Sequence, residues 1–303
     1  MKNEFKEIRI MDNFYQSSSF FPMPLTLIGT LDEKGELTSF GAYSLIFPYY
    51  IAGKDYYAMI LECRNTSNTA KGLLRNGKCS ICFLPFSKKN FKEHVNLGFP
   101  GDTPEEKMKD FSFHVIDSQI DPTRPKIIKE ALQVFECTWV KELDNASEDK
   151  VLDEYNPPYH NFNGITSKYG AHFILKIDKI LLKEKYFNAL INGVNRTNFC
   201  PLPTNWGYRD SKNFWCSDYR KPIPVGIPNR EVDITSVRYA ADRLNTNIKF
   251  SDEALKTLVK VPRPFLKLVL QGCVNWAKEN NVDLITEKEM KIIADKRSKD
   301  KKK

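Results

Sequence analysis

The chain has 303 residues, of which 41% are hydrophobic and 28% charged, with a formal net charge of +8. This length favours two domains over one, and the composition is that of a globular protein in water. No apolar run reaches the roughly 18 residues that a membrane span needs. Seven Lys or Arg against two Asp fall between Lys291 and Lys303, so most of the excess charge is a terminal tail, which argues against a nucleic-acid role.

The first sixteen residues mix acids with bases and lack an apolar core or a small-residue cleavage site, so a cytoplasmic protein is expected. Seven cysteines, an odd number in a chain read as unexported, are expected to be reduced thiols. Cys79 and Cys82 form a CxxC within a strand-like run, where alternation sends the two side chains to opposite faces. No metal site is expected.

In chain order, Leu25 to Leu31 is apolar and β-rich, Asp32 to Gly35 supplies turn chemistry, and Glu36 to Phe47 resumes as one extended run. This predicts a hairpin. A third strand over Tyr57 to Glu62 leads through the loop Cys63 to Asn68 into a short helix near Thr69 to Arg75, closed by Gly77. Cys79 to Leu84 is a further strand. Ser87 opens a helical piece ending at Gly98, and Thr103-Pro104-Glu105-Glu106 combines an N-cap, an N1 proline and a capping-box glutamate. Long strands are expected at Leu132 to Val140 and Ala171 to Leu181. Residues 198–230, rich in Pro, Trp and Tyr, read as an ordered loop in which Trp206, Tyr208, Trp215 and Tyr219 serve packing.

Beyond Pro228 the period changes to that of helices. Val237, Ala240, Ala241 and Leu244 form one stripe, Ala254, Leu255, Leu258 and Val259 a second, and Leu266, Val269, Leu270, Cys273 and Ala277 a third. Thr286 with Glu289 makes a capping box for a last helix carrying Met290, Ile293 and Ala294. The expected domains are 1–230, β-dominated with helical insertions, and 231–303, a small all-α unit with the basic tail.

One constellation carries chemistry. The strand Thr38, Ser39, Phe40, Gly41, Ala42, Tyr43, Ser44 precedes Pro48, and about twenty residues on Arg64, Asn65, Thr66, Ser67, Asn68 and Thr69 open a helix. Hydroxyls, an amide and a guanidinium at a helix N-terminus suit a phosphate, because the free N–H groups and the dipole favour an anion. The arrangement resembles the flavin reductase-like family of FMN-binding split barrels. That resemblance continues in Gly101 to Met108, with Lys107 in the family's basic position, in Phe135-Glu136-Cys137, and in Ala171-His172-Phe173. Where the family has Gly-Asp before the histidine, this chain has Gly170-Ala171, which puts a family role for His172 in doubt.

The resemblance implies a mainly β split barrel holding non-covalent FMN, with NAD(P)H as an electron donor. Thr38 through Ser44 line the flavin ring, with Phe40 or Tyr43 covering part of its face. Arg64, Ser67, Asn68 and Thr69 hold the phosphate, Lys107 is a lesser ligand, and His172 is a catalytic candidate. A homodimer is implied too. The tail segments Phe250 to Leu255, Val261 to Lys267, Trp276-Ala277 and Leu284 to Glu287 resemble the small C-terminal domain of a light-independent protochlorophyllide reductase subunit, implying a redox partner.

Plainer readings stand beside these. Ser, Thr and Asn at a loop–helix junction are also what capping alone selects. His94 and His114 read as surface residues, His160 as a loop residue, and His172 equally as a hydrogen-bonded strand histidine. The chain therefore reads as an FMN-binding oxidoreductase or, alternatively, as a flavin-binding electron carrier without turnover of its own.

Overall fold

The run expected from Glu36 to Phe47 is broken at Ser44 and Leu45, and that break organises the barrel. The computed structural model describes residues 23–49, 56–98, 102–141, 163–201, 203–206, 208–209, 214–215, 234–242, 244 and 247–300. Its first elements are β1 (Met23–Pro24), β2 (Thr26–Leu31), β3 (Thr38–Tyr43), β4 (Ile46–Tyr49) and β5 (Ala58–Arg64). Then come α1 (Asn68–Asn76), β6 (Lys78–Phe83), α2 (Lys88–Leu97), α3 (Pro104–Lys109), β7 (Val115–Ile116), β8 (Ile127–Ile128), β9 (Gln133–Trp139), β10 (Gly164–Ile165) and β11 (Gly170–Leu182). The main sheet is antiparallel throughout, in the order β3-β2-β6-β9-β11-β5-β4, with β10 also paired to β11.

Laid flat, seven strands about 4.8 Å apart would set the two end strands almost 30 Å from each other. Yet β3 and β4 are those ends, and only Ser44 and Leu45 join them, a link whose reach is about 11 Å. The sheet therefore curls until its ends meet. It is a mainly β split barrel with helical insertions, split at the β3/β4 seam, as the sequence implied.

Alternation along the strands sorts the apolar residues into an inside and an outside. Ile28, Ile46, Leu61, Cys79, Ile81, Cys137, Phe173 and Leu175 come from six strands and pack in one buried cluster with Ala70 and Leu73 of α1. That cluster is the barrel interior. Leu27, Phe40, Cys82 and Val134 point the other way and are covered by Leu97, Phe113, Ile127 and Ile128 of the insertions. Cys79 and Cys82 thus lie on opposite faces, and both are free thiols.

The local signals behave as read. The β2–β3 turn has Gly35 at φ 76°, and Asp32 Oδ1 accepts from the N–H of Glu36 at 2.9 Å and Leu37 at 3.0 Å. Burial pushes the Asp32 carboxyl up, but the backbone bonds from Leu37, Glu36 and Gly35 outweigh it and hold the group below its usual value. Gly77 closes α1 in the left-handed region, Ser87 caps α2, and Thr103 with Glu106 forms the capping box of α3. His94 differs from expectation. With Phe91 and Leu97 it forms the buried face of α2 and is 1% exposed, whereas His114 is at the surface.

The chain divides into two compact units, 1–183 with 200–220, and 184–199 with 221–303. The second unit thus includes α4 (Glu184–Asn192), which lies before the expected boundary at 230. Short strand pairs join β1 to β12 (Asn205–Trp206) and β13 (Tyr208–Arg209) to β14 (Phe214–Trp215). The second unit continues with α5 (Thr235–Asp242), β15 (Lys249–Phe250), α6 (Asp252–Leu258), α7 (Arg263–Glu279), β16 (Leu284–Ile285) and α8 (Glu287–Asp300).

Its core is built on the expected stripes, with Val237, Ala241, Ala254, Leu255, Leu258, Leu266, Leu270, Cys273 and Ala277 buried together. Val259 is exposed instead, because α6 ends at Leu258. Thr286 N–H donates to Glu289 Oε2 at 2.9 Å, which starts α8 as the capping box required. A parallel pairing of β15 with β16 was not anticipated. Among the described residues no helix is long and apolar enough to cross a membrane. His160, Tyr219 and Gly101 lie outside the described residues.

Candidate functional site

At the seam, the end of β3, the loop after β5 and the N-terminus of α1 converge. The ordering begins in the hairpin between β10 and β11. Asn65 donates its side-chain amide to Lys168 O at 2.9 Å and its backbone N–H to Tyr169 O at 3.1 Å. These bonds clamp the loop that carries Arg64, which is exposed at the end of β5.

Ser67 is the N-cap of α1, its hydroxyl accepting from Ala70 N–H at 3.1 Å. Ala70 is the third residue of the helix, so the cap leaves the first two amides, and among the described residues the N–H groups of Asn68 and Thr69 have no acceptor. The first turn of α1 carries no acidic side chain. The positive end of a nine-residue helix, with no acid in its first turn and exposed Arg64 four residues before it in the chain, favours an anion.

The side chains around this end are mostly engaged. Asn68 Nδ2 donates to Asp102 O at 3.0 Å. Thr69 is 2% exposed, so neither its hydroxyl nor its backbone lies at the surface. Lys107 Nζ donates to Leu97 O at 3.1 Å, binding α3 to the end of α2. Burial holds the Lys107 ammonium below its usual value, and the Asp102 charge opposes that shift.

The β3 residues divide by face. Thr38 Oγ1 accepts from Lys126 N–H at 2.9 Å, and Ser39 is buried opposite Thr30. Phe40 is 1% exposed and stacked on Phe111 with centroids 5.1 Å apart and planes 4° apart. It packs within the protein, stacked on the ring of Phe111. The reason is the α3 insertion, which lies over its face.

β3 is an end strand, so alternate backbone groups point away from β2. Asp32 N–H donates to Leu37 O, which sets the odd-numbered residues of β3 toward β2 and the even-numbered ones outward. Phe40 N–H meets Met108 Sδ at 3.4 Å. Ala42 is the next outward position, half-buried beside Gly98. Ser44, also half-buried, lies at the seam.

Gly41 and Tyr43 face inward toward α1. A Cβ at Gly41 would come within 2.9 Å of Tyr43 Cε2 and 3.2 Å of Thr69 Oγ1, so only glycine admits this approach. The Tyr43 hydroxyl and Thr69 Oγ1 each come within 3.2 Å of that Cβ position, and the Ser67 hydroxyl and the Cys63 thiol are near enough to act on the phenol's charge. Burial pushes that phenol up to about 12, with Cys63 adding to the shift and the two hydroxyls opposing it. Burial likewise pushes Cys63 up to about 11, with the Ser67 hydroxyl opposing the shift. Both groups are therefore protonated donors at neutral pH.

His172 sits on β11 opposite Glu62 of β5, two positions from Arg64. Its Nδ1 is 2.6 Å from Thr166 Oγ1 and its Nε2 is 3.4 Å from Glu62 Oε1. Sequence reasoning named the histidine but neither partner. It named Asn65 in the helix entry but not its bonds to the β10–β11 hairpin, and it gave Asp102 and Cys63 no part, since nothing local marks residues whose roles come from a distant hairpin or strand. Among the described residues no cluster of His, Cys, Asp or Glu could hold a metal ion.

No protein-family model matches the chain, and the comparison with curated proteins finds no match. Solved structures do resemble it in fold. Flavoredoxin from Methanosarcina acetivorans aligns at 17% identity and TM-score 0.47, covering 72% of this chain and 95% of its own. The 2-nitrobenzoate 2-nitroreductase of Pseudomonas fluorescens aligns at 15% identity and TM-score 0.46, covering 73% and 95%. Flavoredoxin of Desulfovibrio vulgaris aligns at 13% identity and TM-score 0.44, covering 67% and 91%.

Proposed function

We propose that the chain is a flavin-binding oxidoreductase of the flavin reductase-like kind, with FMN as its cofactor. The observation that carries this reading is the N-terminus of α1, which has no acid in its first turn and, among the described residues, no acceptor for the N–H groups of Asn68 and Thr69, and which follows exposed Arg64 in the chain. The residues present fit a flavin phosphate: two N–H donors without an acceptor among the described residues, one cation, and no carboxylate in the first turn of the helix. When bound, the flavin supplies the hydride or electron chemistry, and the protein supplies position.

In this reading Arg64 and the α1 N-terminus take the phosphate, while the backbone at Ala42 and Ser44 meets the polar rim of the ring. Ser67, Asn68 and Thr69 shape the seat through their bonds, and Lys107 fixes its far side through Leu97. His172, held between Thr166 and Glu62, is the candidate group to carry a proton. NAD(P)H as donor, a homodimer, and a redox partner met through the C-terminal helices belong to the same proposal. The flavoredoxins reported above carry a name that agrees with flavin use.

The visible spectrum of the purified protein tests the cofactor, and anaerobic addition of NADH and then NADPH tests turnover. Bleaching of a bound flavin is expected. A flavin that binds and stays unbleached points to the electron-carrier reading, and a colourless protein that takes up no added FMN overturns both.

A further inference from the structure

Alternation along β5 and β11 puts Met59, Leu61, Ala171, Phe173 and Leu175 in the barrel interior. Glu62 and His172, directly opposite each other in the register, therefore share the outer face. On its other side His172 is paired with Gly164 of β10, which has no side chain. Thr166, two places on and on the same face, reaches across to the imidazole instead. Its Oγ1 is 2.6 Å from Nδ1, while Glu62 Oε1 is 3.4 Å from Nε2. The Glu62 side chain is 43% exposed and that of His172 18%, so the trio meets solvent at the carboxylate.

A neutral imidazole has one N–H and one lone pair, and its neighbours decide which nitrogen keeps the hydrogen. A carboxylate only accepts, whereas a threonine hydroxyl can donate or accept. With the hydrogen on Nε2, both contacts are complementary: Nε2–H faces Glu62, and Thr166 donates to Nδ1. With the hydrogen on Nδ1, the Nε2 lone pair would face a carboxylate oxygen. Arg64 and Lys176 lie on the same outer face of these strands and carry donors alone, so neither competes with Glu62 for that hydrogen.

We infer that Glu62 is a positioning residue for His172: it keeps one hydrogen on Nε2, so that the proton His172 gains and loses is the one on Nδ1, in contact with Thr166. When Nδ1 is protonated, the Thr166 hydroxyl turns from donor to acceptor by rotating its hydrogen. What the proton serves rests on the flavin reading above, which this inference deepens by naming the atom that carries it.

Nitrogen NMR of the full chain labelled at histidine tests this at about pH 8.5, where an imidazole is neutral. Two-bond correlations to the ring hydrogens tell a protonated nitrogen from a bare one, and His172→Gln identifies the signals of His172 among the four histidines. The wild type is expected to carry its hydrogen on Nε2. In Glu62→Gln the ratio of the Nε2–H form to the Nδ1–H form is expected to fall about fivefold, in keeping with a half-exposed charge contact. A wild-type hydrogen on Nδ1, or a ratio unchanged in Glu62→Gln, overturns the inference.

Should Glu62→Gln not fold, Thr166→Val puts the same question without touching the carboxylate. Retention of the Nε2–H form supports the inference, and a switch to Nδ1–H, which would make the threonine the deciding group, overturns it. None of these spectra needs a bound flavin. A protein that takes up no FMN therefore sinks the flavin reading by itself, and the spectra still decide the proton's place.

Discussion

The N-termini of α1 and α3 lie close enough to share the Asn68–Asp102 hydrogen bond, and they are finished in opposite ways. At α3, Thr103 Oγ1 accepts from Glu106 N–H at 3.2 Å and Glu106 Oε2 accepts from Thr103 N–H at 2.8 Å. Pro104 removes a third donor, and Glu105 and Glu106 supply negative charge for the dipole. That end is closed by its own residues. At α1, Ser67 reaches only Ala70, no acid follows in the first turn, and among the described residues the N–H groups of Asn68 and Thr69 have no acceptor. Two helix starts that both satisfy the capping preference thus differ in the number of donors left over and in the sign of nearby charge.

The largest effect expected around these helices is on folding, and it must be separated from binding. His94, on α2 between the two ends, is buried with its Nδ1 on Asn90 O at 2.7 Å and no partner for Nε2 among the described residues. Burial holds it down at about 4, against the Asn90 bond. A histidine whose folded value lies below its unfolded one lets the unfolded chain bind protons first. Stability is therefore full above about pH 6.5 and falls as pH drops toward 4, by up to ~3 kcal/mol. Denaturant melts across that window check it, and His94→Leu is expected to flatten the slope. An unchanged slope would place the acid sensitivity elsewhere.

Arg64→Ala is expected to raise the dissociation constant for FMN roughly 30-fold, about 2 kcal/mol for a lost charged hydrogen bond, with little change for riboflavin. Asn68→Asp sharpens the comparison further. A carboxylate at the first helical position suits the dipole and keeps stability within ~1 kcal/mol, yet it repels phosphate. Flavin affinity lost at unchanged melting temperature is the expected signature, measured by fluorescence titration beside calorimetry. Retained affinity for FMN breaks the proposed asymmetry.

The smallest effects belong to the closed end. Thr103→Ala is expected to cost about 1 kcal/mol in stability, the usual loss of a cap, without altering flavin affinity. A selective loss of flavin binding in that variant would mean that the two helix ends act as one site.

Much of the local structure was legible because its causes are local. Ser67 and Thr103 cap where hydroxyls precede helix-forming residues, Gly77 closes α1 because glycine tolerates positive φ, and period-two or helical spacing marks strands and stripes. Of the candidate site, Arg64 and the α1 entry were legible for the same reason. Long-range pairing decided the rest. Residues 36 to 47 look like one strand, and only the pairing of Ile46 with Leu61 and of Tyr43 with Thr26 sends its halves to opposite ends of the sheet.

The sequence by itself determined the mainly β barrel with a helical second unit, the helix ends, and the alternation that buries Cys79 and Cys82 on opposite faces. Only the tertiary structure decided which polar groups remain open. Phe40 stacks on Phe111 just after α3, Thr69 is buried, Tyr43 lies beside Thr69 of α1, and His94 is buried, because each depends on a neighbour distant in sequence. Capping and periodicity act over a few residues, whereas burial is set by what the curled sheet brings to each face.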